Sequence, residues 1–392
     1  MDLVKWLIEY TNSIGSSIDI HAKYEKAFIL SCKNGNLDLV KWLIEYAEGL
    51  GSPIDIHTNL GDAFQFSCKN EKLTKWLIEY ANSIRSPICA FVYSCNNGYL
   101  KIAKWFIEYT NSIGSPIDIH AWDEKAFKLS CGYGHLKITK WLIEYTNSIN
   151  SPININLIKN SLFILCCKTG QLKSIKWLVN YIDEPIDIYY NDEEAFRISC
   201  ASGHLNIAKW LIEYANSIAS YIFIHANDEI AFKFGHLKVA KWLIEYANSI
   251  KLPIDIHTND EEAFRFSCYG KYNYYPNIHD RCENIYLKIV KWLINYANSI
   301  NSPINIHINY EEAFRWSCGY GHLKIAKWLI EYANSISSPI DVHTHYEDAF
   351  RKSYRNGYIK NTKWLIENFD GFDTTKFNKE ELKFYKEELK IN

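Results

Sequence analysis

The stretch Gly321–Ile336, GHLKIAKWLIEYANSI, is the key to the architecture because versions of it recur along the whole chain. Where nothing has been lost or inserted, its tryptophan returns after 36 residues, as from Trp292 to Trp328. A sustained period of this length is typical of arrays in which each unit packs only on its neighbours. The Lys-Trp pair marks these units at Trp6, Trp42, Trp76, Trp105, Trp141, Trp177, Trp210, Trp242, Trp292, Trp328 and Trp364.

The stretch itself predicts a long outer helix from His322 to Asn334. On a helical wheel of about 100° per residue its charged residues share one narrow arc, and apolar residues cover more than half of the circumference. A helix this apolar has to lie between neighbours, which a stacked array provides. Trp328 lies near the edge of the polar arc, so we expect its ring at the border with solvent, packed sideways onto the next unit.

The residues before this helix predict the other half of the repeat. Ser302-Pro303 blocks any incoming helix, and residues 304–309 alternate apolar and polar side chains like a short extended finger. Glu311–Cys318 then reads as a short inner helix whose Glu311 and Glu312 favour its N-terminus, where the helix dipole stabilises negative charge. Glycines end this helix, because glycine readily adopts left-handed geometry.

Finger, inner helix, glycine turn and outer helix together resemble the ankyrin repeat, most clearly in Gly321–Ile336. The inner half departs from that family: Glu311–Cys318, EEAFRWSC, stands where the family writes T-P-L-H-x-A-A. The SPIDIH finger, the Lys-Trp pair and a composition typical of an AT-rich genome resemble the ankyrin families of amoeba-infecting giant DNA viruses. The resemblance implies an all-α, ankyrin-like solenoid of ten to eleven helix-turn-helix repeats, and a protein-binding scaffold.

We expect one repeat array over residues 1–369 and a capping helix or tail over 370–392. The first repeat is incomplete and begins at its outer helix, which indicates either a shortened array or a flank that binds something. The step shortens to 29 residues between Trp76 and Trp105, and these units should be among the least stable. It lengthens to 50 residues before Trp292, which indicates an insertion at about 269–286.

The insertion contains several tyrosines, among them Tyr274 and Tyr275. Long loops in compact arrays are uncommon and often functional, and tyrosine is favoured at interfaces. Loops also accept extra length at little entropic cost, so a tolerated surface insertion is the alternative interpretation.

Charge and composition exclude several classes of function. The 43 basic and 45 acidic residues nearly cancel, which opposes nucleic acid as a partner. No apolar run approaches the roughly 20 residues of a membrane-spanning helix. Eleven cysteines without an N-terminal signal peptide favour a reducing compartment, so we expect a cytoplasmic protein, in the host-cell cytoplasm if the chain is viral.

Two polar series recur in register. The cysteines fall on the inner helix, where neighbouring members should lie about 8–10 Å apart, too far for a disulfide. The finger histidines should be spaced similarly, so we expect hydrogen bonds to the neighbouring finger backbone and no metal site. The two series are Cys32, Cys68, Cys95, Cys131, Cys167, Cys200, Cys268 and Cys318, and His21, His57, His120, His225, His257, His307 and His343. No nucleotide-binding, nucleophile-elbow or HExxH motif occurs, so we predict no enzyme, cofactor or metal.

These observations favour a non-enzymatic scaffold that grips an unidentified protein, of the host if the chain is viral, through a concave face of fingers and inner helices. We expect a monomer. A nucleic-acid-binding helical repeat and a self-associating structural protein remain as alternatives. Large residues that vary between repeats are the candidate anchors, because Tyr, Trp and Arg often dominate interface energy. They are Tyr24, Trp122, Tyr189, Tyr190, Tyr310, Trp316 and Tyr346, with Arg197, Arg265, Arg315 and Arg351 beside them, and Tyr274 and Tyr275 of the insertion.

Overall fold

A computed structural model describes residues 2–16, 18–55, 62–63, 66–81, 87–182, 185–225, 232, 236–269 and 279–389. All regular structure in these residues is helical, so the predicted all-α fold is confirmed. The helices fall into two compact units, residues 1–186 and 187–392, where the sequence indicated one continuous domain.

Both units alternate inner and outer helices. In unit 1 the described helices are α1 (Asp2–Ser13), α2 (Ala22–Lys33), α3 (Leu37–Gly49), α4 (Glu71–Ala81), α5 (Pro87–Asn96), α6 (Leu100–Ser112), α7 (Ala121–Gly132), α8 (Leu136–Ser148), α9 (Ile155–Thr169) and α10 (Leu172–Tyr181). In unit 2 they are α11 (Tyr190–Ala201), α12 (Leu205–Ser217), α13 (Leu237–Ser249), α14 (Thr258–Tyr269), α15 (His279–Ser299), α16 (Ile308–Gly319), α17 (Leu323–Ser335), α18 (Thr344–Arg355), α19 (Ile359–Asn368) and α20 (Lys379–Leu389).

Stacking within each unit follows the predicted repeat. In unit 1, inner helix α7 packs on its own outer helix α8 and on the inner helices α5 and α9. In unit 2, inner helix α16 packs in the same way on α17, α14 and α18. The predicted array of stacked helix-turn-helix repeats is therefore present in both units.

One phenylalanine per inner helix forms the centre of each repeat. These rings are at most 1% exposed: Phe28, Phe91, Phe127, Phe163, Phe196, Phe264, Phe314 and Phe350. Small residues beside them let neighbouring backbones approach. Ser317, for example, is fully buried and donates a hydrogen bond to the Ala313 carbonyl at 2.7 Å, which satisfies its hydroxyl inside the helix.

Trp328 lies half-buried at the border with solvent, as the helical wheel predicts. Its ring stacks on Tyr332 at 5.3 Å, and the Lys291 ammonium lies 5.5 Å from the ring centroid. Lys291 belongs to the preceding repeat, whereas the sequence pointed to the following one. Equivalent Lys–Trp contacts recur in both units, so cation–π pairs connect consecutive outer helices.

The turn between inner and outer helix has a defined packing partner. Gly321 has a φ of +82°, and a Cβ built on it would lie 2.4 Å from Cδ1 of Tyr358 in the next repeat. A Cβ built on Gly203 would likewise lie 2.6 Å from Cδ2 of His236 in the next repeat. Glycine is therefore required at these turns for two reasons: the backbone is left-handed, and the next repeat approaches closely.

The predicted insertion is only partly described. Its last residues, 279–286, belong to helix α15, so the loop is shorter than the sequence suggested. Tyr286 is buried there at 7% exposure, because the helix continues directly into the outer-helix stretch. Tyr274 and Tyr275 lie outside the described residues.

Residues 370–389 pack on the last inner helix, α18. Glu381 is fully buried, and its carboxylate accepts from Arg355 Nε at 2.6 Å and from the Asn378 amide at 2.8 Å. The Phe350 ring stacks on Phe377 with centroids 4.4 Å apart. Among the described residues, no helix is both long and apolar enough to cross a membrane.

Candidate functional site

Six inner helices open with a turn of the same unusual geometry. We call these five-residue segments the finger turns: 21–25, 120–124, 189–193, 257–261, 307–311 and 343–347. The last three residues of each have φ between +52° and +61°. None of them is glycine, so right-handed helix begins only after the glutamate that ends each segment.

A left-handed conformation costs a non-glycine residue about 1–2 kcal/mol. Three such residues in succession persist only where surrounding contacts hold them in place. The finger turns therefore have to be fixed by specific interactions, and two sets of contacts provide them.

A histidine–glutamate pair provides the first set. In segment 307–311, His307 Nδ1 lies 2.7 Å from the Glu311 carboxylate, which is 6% exposed. The same carboxylate accepts from the Asp341 amide at 3.4 Å, and His307 Nε2 lies 2.8 Å from Ser338 Oγ. Asp341 and Ser338 belong to the next repeat, so the pair holds its own turn and connects two repeats.

The same arrangement recurs at His257, Glu261, Asn305 and Ser302. The sequence predicted that the histidine would bond to the neighbouring finger backbone. The glutamate makes that backbone contact, and the histidine reaches the serine hydroxyl. The glutamates thus do more than favour a helix N-terminus, because they accept hydrogen bonds from two repeats.

An arginine provides the second set. Arg315 donates from Nε to the Tyr310 carbonyl at 2.7 Å and from Nη2 to the Asn309 carbonyl at 2.9 Å, both within the left-handed turn. Its Nη1 pairs with Asp348 of the next repeat. Arg265 makes equivalent bonds to its own turn and pairs with Glu312.

Two predicted anchors therefore differ from expectation. Arg315 is 6% exposed and the Arg265 side chain 14% exposed, so neither stands free for a partner. The physical reason is local: the left-handed turn directs two carbonyls toward one point, where the planar guanidinium donates to both. Arg197 bonds to the turn 189–193 in the same manner.

Within this fixed frame, the first two left-handed residues of every finger turn are exposed. Histidine or tyrosine precedes them and glutamate follows them in all six turns, but the pair itself varies. We call these twelve residues the exposed pairs: Lys23 and Tyr24, Trp122 and Asp123, Asn191 and Asp192, Asn259 and Asp260, Asn309 and Tyr310, and His345 and Tyr346.

Four predicted anchors belong to the exposed pairs. Tyr24 is 76% exposed, Tyr310 73%, Tyr346 65% and Trp122 51%. The grouping of these residues was missed in the sequence, although a signal existed: in five of the six turns a His-x-x-x-Glu frame surrounds positions that change from repeat to repeat.

The remaining anchors lie elsewhere. Tyr190 is 48% exposed and stands just before its exposed pair. Tyr189 replaces the frame histidine and is half-buried, and its hydroxyl has no hydrogen-bond partner among the described residues. Trp316 is half-buried against Tyr269, with ring centroids 4.8 Å apart.

The described ladder cysteines are buried free thiols. Burial raises the pKa of Cys32 to about 12 and that of Cys68 to about 11, which opposes formation of the reactive thiolate. Cys131 and Cys166 approach to 4.0 Å between sulfurs, closer than the in-register spacing, because Cys166 lies one residue from the ladder position. In the described part of the chain, no three histidine, cysteine or acidic side chains are grouped to hold a metal ion.

No protein-family model matches this sequence, and none of the curated proteins matches it. The chain is similar to an ankyrin repeat family protein from Legionella pneumophila whose X-ray structure is known. That similarity has 12% sequence identity and a TM-score of 0.26, and it covers 69% of this chain and 78% of that chain.

Proposed function

We propose that this chain is a non-enzymatic protein-binding scaffold that contacts its partner through the exposed pairs of the finger turns. One observation carries the proposal: a costly left-handed turn is held by recurring histidine, glutamate and arginine contacts in most of its copies, and what it presents to solvent is a pair of side chains that varies. Strained backbone fixed by its surroundings is often associated with function.

The properties of the exposed pairs support this function. The histidine, glutamate and arginine contacts hold the turn rigidly, so little conformational entropy remains to be lost when a partner binds. Tyr310, Tyr346 and Trp122 offer large amphipathic rings, the side chains that most often dominate interface energy. Variation between turns gives each repeat a different contact, which suits recognition of one particular surface.

The outer-helix tryptophans support a protein partner over nucleic acid. Trp328 already stacks on Tyr332 and lies near the Lys291 ammonium. Non-specific binding of single strands uses free aromatic faces for base stacking and free cations for phosphates. Here the aromatic face of Trp328 and the Lys291 cation are directed at each other.

Composition supports the cytoplasm as the proposed compartment. Eleven cysteines, with the described ladder thiols free and buried, support a reducing cytoplasm as the place of action. The giant-virus resemblance, if it reflects origin, supports a host protein as the partner.

Site-specific photocrosslinking tests the proposal. A photoreactive phenylalanine analogue at Trp122 and at Tyr310 of the full chain should crosslink to a partner in cells. The same analogue at Ile149 and Ile300, which are 46% and 47% exposed at the ends of outer helices, serves as the control. Equal crosslinking at all four positions, or none at the finger turns, would exclude the exposed pairs as the binding surface.

Self-association is a second candidate function, and the apolar surface of α1 favours it. Leu3 is 74% exposed, Trp6 56% and Tyr10 49%. Apolar patches of this kind mark interaction surfaces. Light scattering over a concentration series should detect dimers that disappear in the Leu3→Ser/Trp6→Ser variant, and a monomer at every concentration would remove this candidate.

A further inference from the structure

A pocket of about 330 Å³ lies beside the inner helix α2 in unit 1, within the size range of known ligand sites. We call it the α2 pocket. Its wall comes from α2 and from two residues of the following repeat, Asp62 and Phe66. The lining combines lysines with exposed apolar side chains.

The charge of the α2 pocket is positive. Lys23, Lys26 and Lys33 line it and are all exposed, and Asp62 is the acidic residue among the lining residues. The Lys33 ammonium lies 5.4 Å from the centroid of the Phe66 ring. Three cations facing one carboxylate leave an excess of positive charge at a concave surface, which favours a negatively charged ligand.

At the place of Lys26, the inner helices α16 and α18 of unit 2 lack a cation, although α7 also carries a lysine there, Lys125. At the place of Lys26, α16 carries Glu312 and α18 carries Asp348, which pair with arginines of the preceding repeat. At the place of Ile29, α16 carries Arg315, which holds its finger turn. Compared with α16, helix α2 therefore has Lys26 in place of Glu312 and the apolar Ile29 in place of Arg315.

The finger turn of α2 is held without that arginine. His21 Nδ1 lies 2.8 Å from the Glu25 carboxylate, which also accepts from the Asp55 amide at 3.2 Å. Lys23 and Lys26 form no ion pair within the described part of the chain. Their charges are thus free for a ligand, whereas Glu312 and Asp348, at the place of Lys26, serve contacts between repeats.

The apolar part of the α2 pocket is unusually open. Tyr24 is 76% exposed and Leu30 is 42% exposed, with the Phe66 ring beside them. A purely ionic ligand would leave these side chains in water. A ligand that combines carboxylates with one bulky apolar group satisfies both halves of the lining.

We propose that the α2 pocket binds an acidic peptide segment of a partner protein, with one bulky apolar side chain packed against Leu30, Tyr24 and Phe66. Its carboxylates pair with Lys23, Lys26 and Lys33. This inference rests on the proposed function, because the ligand is a segment of a protein partner. Its contacts differ from those of Trp122 and Tyr310.

Fluorescence anisotropy with the full chain tests this site. The probe is a labelled peptide of alternating Asp and Glu with one central Phe, compared with the same peptide carrying Ser at the centre and with one carrying Gln and Asn throughout. The acidic Phe peptide should bind, and both replacements should weaken binding about tenfold or more. Added salt should weaken the interaction, because the charges are partly exposed.

Matched variants locate the binding. The Lys26→Glu/Lys33→Glu chain should lose affinity about tenfold or more. The Lys137→Glu/Lys173→Glu chain has the same change in net charge at exposed outer-helix positions and should bind as the natural chain does. Leu30→Ser should weaken binding, while Leu157→Ser, at a residue that is 82% exposed, should not. Circular dichroism confirms that all four variants are folded.

Three outcomes would overturn the proposal: no binding of the acidic Phe peptide, equal losses in the two lysine variants, or displacement of the peptide by phosphatidylserine vesicles that bind more tightly. The last would assign the α2 pocket to a membrane surface. Failure of crosslinking at Trp122 and Tyr310 with peptide binding intact would refute the exposed pairs of those two turns and leave the α2 pocket, with its own pair Lys23 and Tyr24, standing. The reverse result would refute only the pocket.

Discussion

Among single residues, those of the finger turn are the distinctive feature of this chain. Each turn keeps three non-glycine residues in left-handed geometry. In most turns the cost is offset by a histidine, a glutamate and a cation that all converge on the turn. These residues also reach the next repeat, so local strain and contacts between repeats depend on the same side chains.

Arg315→Ala should therefore destabilise the chain by about 2 kcal/mol, because two turn carbonyls and Asp348 lose a charged donor. Urea denaturation followed by circular dichroism measures the change. Lys383→Ala, at a side chain that is 77% exposed, should stay within about 0.5 kcal/mol. Equal midpoints for the two variants would mean that the turn does not need its arginine.

The buried cysteines should resist modification in the folded chain. The pKa of the Cys32 thiol is raised to about 12 by burial, so hardly any thiolate exists near pH 8. Ellman's reagent at pH 8 should label this residue only after unfolding, as read by mass spectrometry of Cys32 peptides. Rapid labelling of Cys32 under native conditions would contradict its burial.

The raised pKa of Cys32 also determines how the stability of the fold changes at alkaline pH. In the unfolded chain the Cys32 thiol has the ordinary cysteine pKa of 9.0, whereas burial in the folded chain raises that pKa to about 12. Its contribution to stability is thus complete below about pH 9 and declines as the pH rises toward 12. In Cys32→Ser, that decline in the free energy of unfolding should be smaller, and an unchanged decline would exclude Cys32 as its source.

Among the structural elements, the turn between inner and outer helices sets how closely repeats pack. Glycines there have positive φ, and in several repeats a side chain of the following repeat fills the space that a Cβ would occupy. The two requirements, conformational and steric, can be separated within this one chain.

Gly321→Ala and Gly357→Ala form a matched pair for that purpose. Both glycines have similar positive φ, +82° and +78°, but a Cβ at Gly321 meets Tyr358 at 2.4 Å and one at Gly357 meets nothing within 4 Å. Gly357→Ala should cost about 1 kcal/mol from backbone strain alone. Gly321→Ala should cost clearly more in urea denaturation, and equal costs would show that Tyr358 gives way freely.

In the molecule as a whole, two compact units each stack their own repeats. Residues 370–389 pack where a further repeat would otherwise lie against α18, and they bury Glu381 between arginines. We propose that this segment is the cap of the array, which extends over residues 1–369. Repeat arrays need a terminal unit with a polar outer face to remain soluble.

Removing residues 370–392 should therefore lower the thermal midpoint and raise the binding of an apolar dye, because Phe350 loses its contacts with Phe372, Phe377 and Tyr385. Glu381→Gln in the full chain should have a smaller effect in the same direction. A truncated chain with an unchanged midpoint and no added dye binding would refute the capping role.

The order of residues was enough to predict the helices, their pairing and the stacking of repeats. Period and apolar content are properties of successive residues, and a helix as apolar as His322–Asn334 has one stable place, between neighbours. The burial of the cysteines as small core residues followed from the same reasoning.

Which polar residues are free depends instead on contacts between distant parts of the chain. Arg315 and Tyr310 are both large and variable in type between repeats, yet one lies buried on the turn and the other stands in solvent. That difference depends on where two carbonyls of a left-handed turn point and on an aspartate 33 residues away. Helical periodicity predicts neither the direction of these carbonyls nor the position of the aspartate. Both depend on how the left-handed backbone packs against the neighbouring repeat.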